Sequence, residues 1–214
     1  MSGRAPLIAV LDYGIGNLRS AQKALEHVGA DARLTADHAL IAEADAVVLP
    51  GIGAFGTCMD ALRAARLEDE VHRAVASGRP FLGICVGMQM LFDASDEDPH
   101  AQGLGVIPGT IRWLGTELPR PQMQWNQLTI EPQHAGDPMF AGLGDAPWVY
   151  FVHSLHGVPA DPADVAATCV YGGAVNAAFR RGNVFATQFH PEKSGEHGLA
   201  LLGNFARLAR GVAA

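Results

Sequence analysis

Two short stretches of this chain carry residue types and spacings suited to covalent chemistry. Cys85 stands in Phe81-Leu82-Gly83-Ile84-Cys85-Val86-Gly87-Met88-Gln89, where an apolar run gives way to a helical pattern, with a glycine two residues away on each side. That is the Gly-x-nucleophile-x-Gly spacing of a nucleophile elbow, with sulfur in place of a hydroxyl. Side chains at the two glycines would obstruct the sharp strand-to-helix turn. The N-terminus of the following helix would favour thiolate over thiol. A cysteine in an apolar stretch is more often a small core residue, so Cys85 gains its weight from the second stretch. In Gln188-Phe189-His190-Pro191-Glu192, the histidine and the glutamate are two residues apart. Pro191 disfavours helix at the residue before it, and in extended backbone such residues point to one side. A carboxylate there can hold the imidazole's tautomer, and the imidazole can act as base toward the thiol. Alone, a His-Pro-Glu turn reads as a solvated strand end. The chemistry requires that the two stretches meet in space.

The elements that must bring them together are legible as alternating patterns. Leu7 to Leu11 reads as a buried strand, turning at Asp12 to Gly16 into a helix with Leu18, Ala21, Leu25 and Val28 at helical spacing, stopped at Gly29. Ala32–Thr35 and Ala46–Leu49 read as strands, the latter followed by Pro50-Gly51-Ile52-Gly53. One helix is expected over about 57–76, then a strand over 81–84, then a helix to about Ser95. Such alternation implies an α/β fold with a parallel sheet covered by helices on both faces, its ligand crevice at the carboxyl ends of the strands. Tyr13-Gly14, Pro50 to Gly53 and Cys85 all fall at such ends. The second half is richer in antiparallel signals: strands over Gly109–Leu114, Leu128–Ile130, Trp148–His153 and Val165–Val170, a hairpin of Val175–Arg180 with Val184–Phe189, and a closing helix from Glu196 to Arg210.

Composition narrows the function classes. The chain has 214 residues, 49% hydrophobic and 17% charged, enough for one large domain with a real core. A net charge of −7 argues against a nucleic-acid groove. Cys58, Cys85 and Cys169 are widely spaced, with no Cys-x-x-Cys pair, which fits a reducing cytosol. The apolar run near the N-terminus is too short to span a membrane, and no signal-peptide layout surrounds it. His153-x-x-His156 lacks a matching carboxylate or thiol pair, so no metal is expected. Gly14-x-Gly16 lacks the third glycine of a dinucleotide fingerprint, since position 19 is arginine. Pro50-Gly51-Ile52-Gly53 reads differently: acyl transfer through a thiol generates an oxyanion, and accessible backbone N–H groups of Gly51, Ile52 and Gly53, with that of Val86, are natural donors to it.

Together these pieces resemble the class I glutamine amidotransferases of the Cys-His-Glu type. Pro-Gly-Ile-Gly, Gly-Ile-Cys-Val-Gly-Met-Gln and Gln-Phe-His-Pro-Glu-Lys-Ser occur in the expected order, and the likeness spans nearly the whole chain. A narrower likeness, to the glutaminase subunits of imidazole glycerol phosphate synthases, rests on four stretches. These are Asp12 to Leu18, Pro121 to Asn126, Tyr150 to Ser154 and Phe189 to Ser194. The resemblance implies a single three-layer, flavodoxin-like domain over residues 1–214. It implies glutamine hydrolysis by Cys85, His190 and Glu192 without a cofactor. Gln89 and Glu97 would contact glutamine, and the backbone around Ser154 and Leu155 would hold its amino-acid end. It also implies a (β/α)8-barrel cyclase subunit as heterodimer partner, fed with ammonia, with Asn17, Met123, Trp125 and Lys193 at the interface or gate. Cys58 and Cys169 would be packing residues. Three positions depart from the family pattern: Gln124 for a usual glycine, Leu155 for a usual tyrosine, and Gly195 for a usual serine. Sequence leaves three rivals open: the glutaminase subunit of another ammonia-channelling synthase, a non-catalytic redox or binding module on the same fold, and a cysteine peptidase or esterase.

Overall fold

A computed structural model describes residues 4–212. The first half alternates as expected: β1 (Leu7–Leu11), α1 (Leu18–His27), β2 (Asp31–Thr35), α2 (His38–Glu43), β3 (Ala46–Gly51), α3 (Phe55–Ala64), α4 (Glu68–Ala76), β4 (Phe81–Cys85) and α5 (Val86–Met90). There follow β5 (Ala94–Ser95), β6 (Asp98–Gln102), β7 (Gly109–Trp113), β8 (Gln122–Gln127), β9 (Thr129–Ile130), β10 (Trp148–His153) and β11 (Leu155–Pro159). The chain closes with β12 (Val165–Val170), β13 (Ala174–Arg181), β14 (Val184–Thr187) and α6 (Gly195–Val212).

An eight-stranded sheet in the order β2-β1-β3-β4-β14-β13-β12-β9 forms the centre. It is parallel from β2 through β14 and antiparallel beyond. Every residue of β1, β3 and β4 is buried, as strands covered on both faces must be. The path from β1 to β2 runs one way along the sheet, and those through β3 and β4 run the other. Right-handed crossovers therefore put α1 opposite α2 to α5. α6 returns to pack against α1 and β1. The result is one α/β domain of three layers, with a four-stranded sheet (β11-β7-β5-β6) and a two-stranded ribbon (β10-β8) beside the main sheet.

Several elements differ from the sequence expectation. The single helix over 57–76 is two helices. α3 ends in a Schellman arrangement, with Leu67 N–H bonded to Leu62 O and Arg66 N–H to Arg63 O. Arg66 takes the left-handed position at φ 59°, where a glycine would have signalled the break. The helix after Cys85 stops at Met90 instead of Ser95. The carbonyls of Met90, Leu91 and Phe92 accept from the backbone of residues 104–107 instead of continuing a helical ladder. Strands β8 and β11 were not legible: β8 is mostly polar and carries its apolar residues Met123 and Trp125 on an exposed face.

Candidate active site

The carboxyl ends of β3, β4 and β14 lie side by side, and the candidate residues stand there. Gly51 is paired with Cys85 across β3 and β4, and Thr187 of β14 with Ile84 of β4. Cys85 holds φ 54° and ψ −116°, a strained conformation for a residue with a Cβ. The sharp turn brings backbone very close. A Cβ on Gly87 would overlap the Leu49 carbonyl, and one on Gly51 would lie 2.7 Å from the Gly87 nitrogen. These approaches are the physical reason for the glycine spacing. The short helix corrects one expectation: five residues of α5 give only a small macrodipole for a thiolate to face.

His190 follows β14 and is pinned by its backbone. Its N–H donates to Tyr150 O at 3.0 Å, and its carbonyl accepts from Ser194 Oγ at 2.6 Å. Its Nδ1 lies 2.8 Å from Glu192 Oε1, with both side chains 2% exposed. Behind the carboxylate, Asn17 Nδ2 approaches the same oxygen at 3.5 Å. Burial pushes the imidazole pKa down, but the nearby Cys85 sulfur and the hydrogen-bonded carboxylate of Glu192 outweigh it and hold it up, at about 9. His190 Nε2 has no partner of hydrogen-bond geometry among the described residues. The sulfur is near enough to act on the ring electrostatically without yet making a well-formed hydrogen bond, a common state of sites without substrate.

Cys85 and His190 line one cavity of about 270 Å³, together with Ile52, Gly53, Val86, Gln89, Glu97, Ser154 and Leu155. That volume is near the lower end of small-molecule sites, ~300 Å³. Glu97 Oε2 accepts from Phe55 N–H at 2.8 Å, at the start of α3. Gln89 Nε2 donates to Gln188 Oε1 at 3.1 Å, and Gln188 Nε2 lies 3.8 Å from Cys85 Sγ. Gln188 was missed in the sequence. The extended run expected through Glu192 stops at His190: Pro191–Lys193 is a 3-10 turn with Pro191 at its first position, so the contact between His190 and Glu192 is made across that turn and not by strand alternation. His153 also lines the cavity. Met123, Trp125 and Lys193 do not; Met123 and Trp125 are 64% and 47% exposed on the β8–β10 ribbon. Gly195 takes φ 56°, a conformation that favours glycine over the serine usual there, and Gln124 sits in β8 with no left-handed strain.

Cys58 and Cys169 have more partners than packing alone would give. Cys58 Sγ donates to Ile52 O at 3.1 Å, beneath the loop that borders the cavity, and Tyr13 Oη donates to Pro50 O at 2.5 Å. Burial pushes both thiols up to about 11. A larger cavity, about 560 Å³, lies at the amino ends of β3 and β4, lined by His38, Asp45, Glu70, Arg73 and Arg79. Its charges are spent on one another or on backbone: Glu70 pairs with His38 and Arg73, and Arg79 Nη1 donates to the carbonyls of Ile41, Ala42 and Ala44. Among the described residues no group of three or more His, Cys, Asp or Glu converges as metal ligands would, and no helix is long and apolar enough to cross a membrane.

Comparison with known proteins places this geometry in a family. The profile of glutamine amidotransferase class-I matches residues 9–208. The imidazole glycerol phosphate synthase subunit HisH of Syntrophotalea carbinolica is 50% identical over 206 residues, covering 93% of this chain and 98% of that protein. The subunit of the same name from Synechococcus elongatus is 50% identical over 203 residues, covering 94% of this chain and 92% of its own. The structure of PurLQS from Thermotoga maritima superposes with a TM-score of 0.75 at 22% identity, over 95% of this chain and 98% of that one; at such identity the likeness is one of fold. The chain belongs to the class I glutamine amidotransferases and, within them, to the family of imidazole glycerol phosphate synthase subunit HisH.

Proposed function

We propose that this chain is the glutamine amidotransferase subunit of an imidazole glycerol phosphate synthase, hydrolysing glutamine to glutamate and ammonia. What carries the proposal is one juxtaposition: Cys85 and His190, far apart in sequence, border the same small cavity, with Glu192 bonded to the imidazole Nδ1. Cys85 Sγ attacks the side-chain amide carbon of glutamine, and the C=O electron pair moves to oxygen. Val86 N–H and the backbone N–H groups of the Gly51–Gly53 loop receive that oxyanion. The imidazolium of His190 gives its proton to the amide nitrogen, the C–N bond breaks, and ammonia leaves with a thioester on Cys85. His190 then takes a proton from water, whose oxygen attacks the thioester. Glutamate departs as the thiolate is restored, and Glu192 keeps the ring oriented throughout. Gln89 and Glu97 contact the substrate, and the Ser154–Leu155 backbone holds its amino-acid end.

The relatives' name makes them subunits of a synthase, and we infer a partner subunit here as well. A (β/α)8-barrel cyclase that uses the ammonia is the partner we propose, docking on the face that carries Met123, Trp125, Asn17 and Lys193. Support comes from three exposed large side chains on one ribbon, Met123, Trp125 and Trp148, since exposed aromatics mark interfaces. The test is Cys85→Ala in the assembled synthase. Glutamine-dependent synthesis should fall by at least ~10³-fold while synthesis from free ammonia persists. Glutamine turnover near wild type would remove Cys85 from its role, and co-purification with a different synthase would reassign the partner.

A further inference from the structure

His153 is a buried side chain of the cavity that the reaction above does not use. It is 5% exposed, at the end of β10, with both ring nitrogens engaged: Nδ1 lies 2.7 Å from Leu155 O and Nε2 lies 2.9 Å from Gln122 Oε1. Gln122 is fully buried, and its Nε2 lies 3.9 Å from Cys169 Sγ. Read literally, the ring faces two acceptors, which only an imidazolium could satisfy. Burial, together with the positive charge that His156 and His190 can carry, opposes that charge and lowers the His153 pKa to about 4. The other ionisable neighbour of the network, Cys169, is a buried thiol that stays protonated.

A backbone carbonyl can only accept, so the direction of the chain is fixed from that end. Nδ1 must carry the proton and donate to Leu155 O, which leaves Nε2 as an acceptor. Oxygen and nitrogen of a glutamine amide are interchangeable by a simple flip. With the Gln122 amide reversed, its NH2 donates to His153 Nε2 and its oxygen accepts from the Cys169 thiol. His153 Nδ1–H, one N–H of Gln122 and the Cys169 thiol then each have an acceptor, and no charge is buried.

This network acts on the cavity through Leu155. Ser154 O accepts from Leu114 N–H at 2.9 Å, on the β7 side. In a planar trans peptide the Leu155 N–H must point the opposite way, off β7. Leu155 O also points off β7, to His153, and Ser154 and Leu155 both line the cavity. We propose that His153 is a positioning residue, its Nδ1–H given to the Leu155 carbonyl and its ring braced at Nε2 by Gln122 and Cys169, which holds that carbonyl and thereby aims the Leu155 N–H at the carboxylate of the substrate amino acid. The proposal rests on the assignment of this cavity to glutamine.

The test has two arms. In ¹⁵N-histidine NMR of the full chain, His153 shows the Nδ1–H tautomer and does not titrate across the neutral range; its signal is identified by its loss in His153→Asn. In the assembled synthase, Gln122→Leu keeps the Nδ1–H contact to Leu155 O but removes the partner that braces the ring at Nε2. It raises the KM for glutamine roughly fivefold, the scale of one hydrogen bond, and raises KM more than it lowers kcat. His153→Asn raises KM further. An Nε2–H tautomer, an ordinary titration near neutrality, or a fall in kcat with KM unchanged overturns the proposal. A wild-type chain that binds and turns over no glutamine would sink the functional assignment and the substrate contact together, while the NMR arm still decides the network.

Discussion

His190 and His153 border the same cavity from different elements, and their environments drive them in opposite directions. Both are buried, and burial pushes both down. His190, after β14, faces a carboxylate and a sulfur and is held up at about 9. His153, at the end of β10, is buried and faces a carbonyl and an amide, with the ionisable rings of His156 and His190 nearby, and sinks to about 4. The difference is not depth but what the ring nitrogens meet. A negative partner keeps an imidazolium available for proton transfer, whereas neutral dipoles keep a ring neutral and fixed. The first arrangement suits a group that exchanges protons and the second a group that holds backbone still.

The comparison can be broken most sharply at Glu192. Glu192→Gln removes the carboxylate from His190 and should lower kcat for glutamine by roughly 10²-fold or more. The His190 pKa should fall from about 9, so the alkaline limb of the pH–rate profile moves to lower pH. An alkaline limb that stays in place would show that His190 does not set it. The same raised pKa bears on stability: His190's contribution is fully present below 6.5 and is lost as pH rises through about 9.

For His153 the sign reverses. Its folded pKa is depressed, so the unfolded chain takes up the proton first. Its contribution is complete above 6.5 and is lost as pH falls toward about 4. Over that window the loss is of the order of 3 kcal/mol. Urea unfolding from neutral to mildly acid pH should show it in the wild type, with a shallower dependence in His153→Asn. Equal slopes in the two proteins would contradict the environment assigned to His153. The smallest effect concerns the thiols. Cys85→Ala retains Cys58 and Cys169, both pushed to about 11 by burial. Iodoacetamide near pH 8 should label it at least about tenfold more slowly than the wild type, because thiolate is the reactive form. Comparable labelling would show that the buried thiols react.

Much of the geometry around Cys85 and His190 was legible because its constraints are local. The spacing of Gly83, Cys85 and Gly87 is a steric requirement of one turn, and the structure shows the backbone those glycines make room for. His190 and Glu192 meet across one short turn, so their pairing is also local, although by that turn and not by the strand alternation expected; Gln188 was not singled out. The break at Arg66 was invisible because an arginine occupies the left-handed position. The early end of α5 was invisible because residues 104–107 cap its carbonyls from outside. The ribbon strand β8 was hidden because its apolar residues face outward, inverting the usual signal.

The sequence by itself therefore determined the alternation of strands and helices, the turn that strains Cys85, and the pairing of His190 with Glu192, since each depends on residues within a few positions of one another. Only the tertiary structure decided that the sulfur and the imidazole border one cavity, and that Gln122, His153 and Cys169 form one polar chain behind it. Those relations depend on strands far apart in the chain packing together, and on buried polar atoms having to find partners wherever the fold brings them.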